Sequence, residues 1–248
     1  MLTPLANLFR DAADLLFPRI CVLCGADATS PVCGPCQLDL VELTTEPACE
    51  DCGKPLASEV EPCPWCEGRG MSHLDGVLRW GSYEGAIQHL VHLMKFESRP
   101  DVAIWMGERL GRQALESGWA ERIDAVAAVP LHRRRELVRG YDQAGLIASG
   151  LAKALGRPTV RPLLRDRATP PQSSLNSVGA RRANVRDAFV LIDEPSVAGR
   201  RLLLVDDVLT TGATLRNAAR RLRDARPGAI HAAVVAVADP RRRQFGEV

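Results

Sequence analysis

The sequence predicts an α/β fold, a parallel sheet with flanking helices, preceded by a small cysteine-rich module. Three observations predict it. Short apolar runs alternate with helical stretches from about residue 74 onward, all eight cysteines fall between positions 21 and 66, and charge divides along the same line. Residues 1–70 carry four Lys/Arg against eleven Asp/Glu, a formal −7, while the remaining 178 residues hold 28 basic and 19 acidic groups, +9. A module over 1–70 and a body over 71–248 follow from that division. The field of the body draws polyanions, whether nucleic acid or phosphorylated sugar.

A chain of 248 residues with 46% hydrophobic and 4% aromatic content buries one medium core and a small satellite. No apolar run reaches the roughly 18 residues of a membrane helix. The opening stretch "MLTPLANLFRDAADLLFP" is broken by Arg10, Asp11 and Asp14, unlike a secretory signal. Leu5, Leu8, Phe9, Ala12, Leu15 and Leu16 share one helical face, read as a short packing helix that ends near Pro18. A membrane-surface anchor would carry a Lys/Arg-rich polar face instead. The expected location is cytoplasmic, where thiols stay reduced.

The cysteines form four Cys-x-x-Cys pairs: Cys21/Cys24, Cys33/Cys36, Cys49/Cys52 and Cys63/Cys66. Reduced thiols in this spacing read as tetrahedral structural zinc, and two Cys₄ sites use every thiolate. Neighbouring pairs are separated by eight and ten residues, compatible with two consecutive zinc ribbons, and an interleaved pairing stays open. A segment of about 50 residues is too short to build its own core, so metal supplies much of its folding free energy. Its acidity, with a further −2 from each Cys₄–zinc unit, favours folding or protein docking over reading DNA. Loss of zinc is expected to destabilise this module and to leave the body formed.

In the body, "IDAVAAVP" (123–130), "RLLLVDD" (201–207) and "AIHAAVVAVAD" (229–239) read as buried strands. A helix over 141–156 places Ala144, Ile147, Ala148, Leu151 and Leu155 inward, with Gly156 as its stop. A second, starting near Thr214, buries Leu215, Ala218, Ala219 and Leu222 and turns arginines outward. Strands separated by helices imply right-handed crossovers and a parallel sheet. Ligands of such sheets sit beyond the carboxyl ends of the strands.

Asp206 and Asp207 stand at that end of their strand. Unpaired core carboxylates would be costly, so they are expected to meet water and a ligand with donors. Thr210, Thr211, Gly212, Ala213 and Thr214 then turn the chain into a helix, gathering backbone N–H groups, a positive helix end and three hydroxyls. That is a cradle for a phosphate monoester, and the carboxylates beside it suit the vicinal hydroxyls of a phosphorylated sugar. It is neither a Walker loop nor a dinucleotide fingerprint. The 13-residue pattern resembles the 5-phosphoribosyl-1-pyrophosphate (PRPP) signature of type I phosphoribosyltransferases.

Three further stretches, "VPLHRRRELVRGYDQA" (129–144), "RDRATPPQSSLNSVGARRANVRDAF" (165–189) and "LMKFESRPDVA" (93–103), together with the cysteine pairs, resemble the ComF/GntX family of competence-associated proteins over nearly the whole chain. The resemblance implies a type I phosphoribosyltransferase fold behind a double zinc ribbon, with PRPP bound together with Mg²⁺. It implies PRPP contacts at Asp206, Asp207 and residues 210–214, with the two aspartates also as catalytic residues. Arg133, Arg134, Arg135 and Arg139 supply planar donor forks to the pyrophosphate, one or two of the first three facing inward. The family motif Arg-Gly-Phe-Asn-Gln reads Arg139-Gly140-Tyr141-Asp142-Gln143 here, and Asp142 is an acceptor where the family has an amide that also donates. Residues 165–189 read as a long loop that closes over the site.

Two functions are compatible with this reading. One is transfer of the phosphoribosyl group to an acceptor with release of Mg-pyrophosphate. No general base stands out for it, His132 being the only histidine beside a candidate loop. The other is a non-catalytic sensor of PRPP or nucleotide that binds single-stranded DNA and docks a DNA-import helicase or another competence protein. Few aromatics are available for base stacking in that second role.

Overall fold

A computed structural model describes residues 20–56, 62–131, 140–165 and 188–238. The expected N-terminal helix, the four arginines at 133–139 and the interior of the 165–189 loop lie outside the described residues. The chain forms two compact units, Met1–Glu42 and Leu43–Val248. This division falls between the two cysteine quartets, whereas charge and cysteine spacing group both quartets ahead of residue 70.

The first unit holds a knuckle in which the Cys21 amide donates to the Ala26 carbonyl (2.7 Å) and the Gly25 amide to the Cys21 carbonyl (2.9 Å). Helix α1 (Gly34–Asp39) follows, its fixed start supplied by Pro35. A short helix α2 (Val41–Thr45) leads into the second unit. There the Gly53 amide donates to the Cys49 carbonyl (2.8 Å) and the Glu67 amide to the Cys63 carbonyl (2.7 Å), so each cysteine pair makes its own tight turn.

The body is built on five parallel strands in the order β1-β7-β6-β2-β3, where β1 is Gly76–Ser82, β2 Ala125–Ala128, β3 Thr159–Val160, β6 Arg201–Leu209 and β7 Ala229–Val237. A separate antiparallel pair joins β4 (Leu163–Arg165) to β5 (Phe189–Leu191). Leu202–Val205 and Ile230–Val237, apart from His231 at their margin, are apolar and buried, as strands covered on both faces require. Helices α3 (Gly85–Phe96), α4 (Pro100–Glu116), α5 (Gln143–Leu155) and α6 (Ala213–Leu222) complete the body among the described residues.

All the inward positions read from the sequence for α5 and α6 are buried. Helices α4 and α5 meet backbone to backbone. A Cβ on Gly107 would lie 2.1 Å from the Ile147 carbonyl oxygen, and one on Gly150 would lie 2.3 Å from that of Ile104. Trp105 of α4 stands edge-on to Trp80 of β1, with centroids 5.7 Å apart.

Residues 43–54 run along the outer side of β1. The Val77 amide donates to the Glu50 carbonyl (2.6 Å), and the nearly buried Arg79 pairs with the Glu46 carboxylate at 3.0 Å. The Ser82 hydroxyl also bonds to Glu46. Lys54 then donates from Nζ to the Ala238 carbonyl (2.7 Å), tying the second knuckle to the end of β7.

Candidate functional site

Strands β2 and β6 are neighbours, yet the chain leaves β2 toward β3 on one side and β6 toward β7 on the other. This is a topological switch point, where the diverging loops open a crevice. The described residues that leave it are 129–131 after β2 and 210–212 after β6.

One sequence expectation needs correction. Strand β6 does not end on its acids but continues through Val208 and Leu209, because β7 pairs with it that far (Asp206↔Val234, Val208↔Ala236, Leu209↔Val237). Strand β2 stops opposite Val205 (Ala128↔Val205), so the acids lie beyond the end of β2 while still held by β7. Pairing on one side fixes them and its absence on the other opens them.

Asp206 is pushed up to about 7, by burial first and by the charge of Asp207 second. The Asp207 amide donates to Asp206 Oδ1 (2.9 Å), and the charges of Lys95 and Arg165 act against the rise. Asp207 is itself paired with Lys95, Nζ to Oδ2 at 2.8 Å, each side chain about one-fifth exposed (20% and 19%). Lys95 sits in the last turn of α3, and Tyr141 bonds from its hydroxyl to the Met94 carbonyl one residue earlier. Arg165, buried at the end of β4, lies over the Phe189 ring with its guanidinium carbon 5.5 Å from the centroid. Asp142 is the N-cap of α5, where its carbonyl accepts from the Leu146 amide (3.0 Å).

The loop after the acids is shaped by Gly212, the N-cap of α6, at φ 71°. Without a side chain at that position, Gly212 caps none of the first amides of the helix, and the Ala213 N–H makes a long contact with Thr211 Oγ1 (3.4 Å). A Cβ on Gly212 would meet Met71 Cε at 2.3 Å and Arg216 at 3.0 Å. Thr210 and Thr214 are half-buried, Thr211 is exposed, and Ala213 is buried. Lys95, Arg165, Met71 and Arg216 were not assigned roles from the sequence. Only Lys95 and Arg165 carried a signal, lying in stretches 93–103 and 165–189.

The cysteines gather as Cys21, Cys24, Cys33 and Cys36, and as Cys49, Cys52, Cys63 and Cys66, with each quartet's sulfurs within 4.8 Å of one another. The pairing is sequential. Printed separations of 3.6 Å (Cys24–Cys33) and 3.8 Å (Cys49–Cys66, Cys52–Cys63) match the roughly 3.8 Å edge of a tetrahedron with Zn–S bonds of about 2.3 Å. Burial raises the Cys52 thiol strongly, and the charges of Cys49 and Cys63 add to the rise. A dication would relieve that crowding, so both quartets fit zinc.

Comparison with known proteins agrees with this architecture. Residues 12–67 match the double zinc ribbon domain family, and residues 138–245 the phosphoribosyl transferase domain family. The chain is 30% identical over 213 residues to the DNA utilization protein YhgH of Escherichia coli, covering 84% of this chain and 92% of that one. It is 29% identical over 215 residues to competence protein F of Haemophilus influenzae, covering 82% and 90%. Among solved structures, the allosteric regulatory enzyme of purine biosynthesis is 27% identical over 54% of this chain and 26% of that one, with a TM-score of 0.38. With a double zinc ribbon leading into a phosphoribosyltransferase-type parallel sheet, and with relatives aligned over most of their length, the chain belongs to the ComF/GntX family of competence-associated proteins.

Proposed function

We propose that the crevice between β2 and β6 binds PRPP with its Mg²⁺ ion, as part of the handling of incoming DNA that the names of the relatives indicate. The observation that carries this reading is the adjacency of Asp206 and Asp207 to an amide-rich helix start with a left-handed glycine cap. The ribose hydroxyls would donate to the two carboxylates, and the 5′-phosphate would accept from the amides and hydroxyls of residues 210–214. The pyrophosphate would lie toward the loop that carries Arg133, Arg134, Arg135 and Arg139. In a transfer reaction the bond from ribose C1 to pyrophosphate breaks, a bond from C1 to an acceptor nitrogen forms, and the carboxylates stabilise the positive charge that develops on the sugar.

The Lys95 pair favours a second reading, in which the site binds PRPP or nucleotide as a signal. A cation 2.8 Å from Asp207 opposes the charge stabilisation that transfer requires, whereas binding tolerates it. In that reading the basic body engages single-stranded DNA in the cytoplasm, and a DNA-import helicase or another competence protein docks on the chain.

Calorimetric titration with PRPP and Mg²⁺ tests the site. Wild type is expected to bind saturably, and the double variant Asp206→Asn/Asp207→Asn about 100-fold more weakly or worse, since each charge-assisted hydrogen bond contributes about 1.5–3 kcal/mol. Equal binding by the two proteins would remove the assignment. Pyrophosphate release in the presence of candidate bases separates transfer from sensing.

A further inference from the structure

The two quartets differ in their surroundings. In the first, Cys24 is exposed and Cys33 and Cys36 are half-buried. In the second, Cys49, Cys52 and Cys63 are buried in the same apolar cluster as Val77 of β1, Val237 of β7, Leu209 of β6 and Leu215 of α6. Gly53 of that knuckle lies so close to the sheet that a Cβ there would sit 2.8 Å from Val77 Cγ1. The metal-binding turn is thus a layer of the body's own core.

Its last cysteine leads straight to the sugar-phosphate loop. The Arg69 amide donates to the Cys66 carbonyl (2.9 Å), Gly70 turns at φ 60° against Asp51, and Met71 follows, buried, with its Cε pressed on Gly212. The Leu74 amide closes the segment on the Met71 carbonyl (3.0 Å). Only four residues separate Cys66 from Met71, so little slack lies between the last ligand of the metal and the thioether that backs the loop.

We propose that the second cysteine quartet, acting through Met71, is a positioning element of the sugar-phosphate loop, so that metal bound by Cys49, Cys52, Cys63 and Cys66 sets the affinity of that loop for its ligand. The inference rests on the reading of the crevice as a PRPP site. Gly212 must hold a left-handed conformation to aim the amides of α6, and Met71 occupies the space into which the loop would otherwise relax. Thioether packing of this kind is adaptable, which suits a contact between a metal knuckle and a loop. The first quartet belongs to the other compact unit, Met1–Glu42. Zinc at the second quartet therefore supports ligand binding, and zinc at the first does not.

Four variants of the full chain test this: Cys24→Ser, Cys52→Ser, Met71→Ala and Met71→Leu. Released zinc is measured with a chromogenic chelator, and affinity for Mg-PRPP by calorimetry. Cys24→Ser is expected to lose one zinc and keep wild-type affinity. Cys52→Ser is expected to lose one zinc and bind about tenfold more weakly, Met71→Ala to keep both zincs with a similar loss, and Met71→Leu to restore most of the affinity. Wild-type affinity in Met71→Ala, or equal losses in Cys24→Ser and Cys52→Ser, would overturn the proposal. Amide hydrogen exchange over residues 210–215 reads the coupling without ligand. Exchange there should quicken in Met71→Ala and stay unchanged in Cys24→Ser, and an unchanged rate in Met71→Ala overturns the coupling even if wild type binds no PRPP, an outcome that would count against the site alone.

Discussion

Replacing Gly107 with alanine is expected to lower the unfolding free energy by about 3 kcal/mol or more, among the largest effects available to a single added methyl group. The new Cβ would meet the Ile147 carbonyl oxygen at 2.1 Å and its carbon at 2.9 Å. These are backbone atoms of the facing helix, and no rotamer change moves them aside. Helices α4 and α5 would have to separate, opening the packing that Leu110, Ile147 and Leu151 share with almost no exposed surface. Urea unfolding followed by circular dichroism measures the change. Arg112→Ala, on the exposed side of the same helix, should stay within about 0.5 kcal/mol of wild type. An unfolding midpoint for Gly107→Ala equal to that of wild type would mean that the helices do not pack as described.

The second large effect is a pH dependence centred on Asp206. In the unfolded chain its carboxyl ionises near the ordinary value of 3.8, whereas in the fold it keeps its proton up to about 7. Between these values the folded state holds more protons than the unfolded one, so this group makes stability fall as pH rises through the window, with the full loss present above about 7. At about 1.4 kcal/mol for each pH unit of difference, the loss is on the order of 4 kcal/mol. Buried His231, whose affinity for a proton is lowered chiefly by burial, acts in the opposite sense, costing stability as pH falls. The difference between Asp206→Asn and wild type isolates the aspartate. The variant should match wild type near pH 4 and exceed it by a margin that grows toward pH 8, by thermal or urea unfolding at the two values. A constant difference would show that the carboxyl ionises normally. The fold thus holds a carboxylate that weakens it at neutral pH, and ligand hydroxyls are what would satisfy that group.

Local pattern made the centre of the body legible, but not β1, β3, β4, β5, α3 or α4. Apolar runs marked β2, β6 and β7, helical periodicity marked the buried faces of α5 and α6, and spacing marked the four cysteine pairs, whose grouping into quartets came from the structure. What depends on distant partners was not legible. Lys95 lies 112 positions before Asp207, and no periodicity reveals that the end of α3 reaches the acids. The continuation of β6 past Asp207 depends on β7, whose pairing compensates the polar residues locally. The place of the second quartet in the body depends on Gly53, Lys54 and Met71 meeting Val77, Ala238 and Gly212, all far along the chain. Charge and cysteine spacing grouped that quartet with the first.

Strand β1 is the terminal strand of the five-stranded sheet, seven residues long and buried throughout. A bare edge of that length is a template for pairing with another chain. Here it is shielded by residues 43–54, held by the Glu50 carbonyl on Val77, by Glu46 on Arg79 and by the Leu43 carbonyl pressed against Gly81. The segment that shields the edge is the one that carries Cys49 and Cys52. Oxidation or metal starvation at that quartet would therefore do more than unravel a turn. It would bare a seven-residue edge strand, and self-association would compete with refolding.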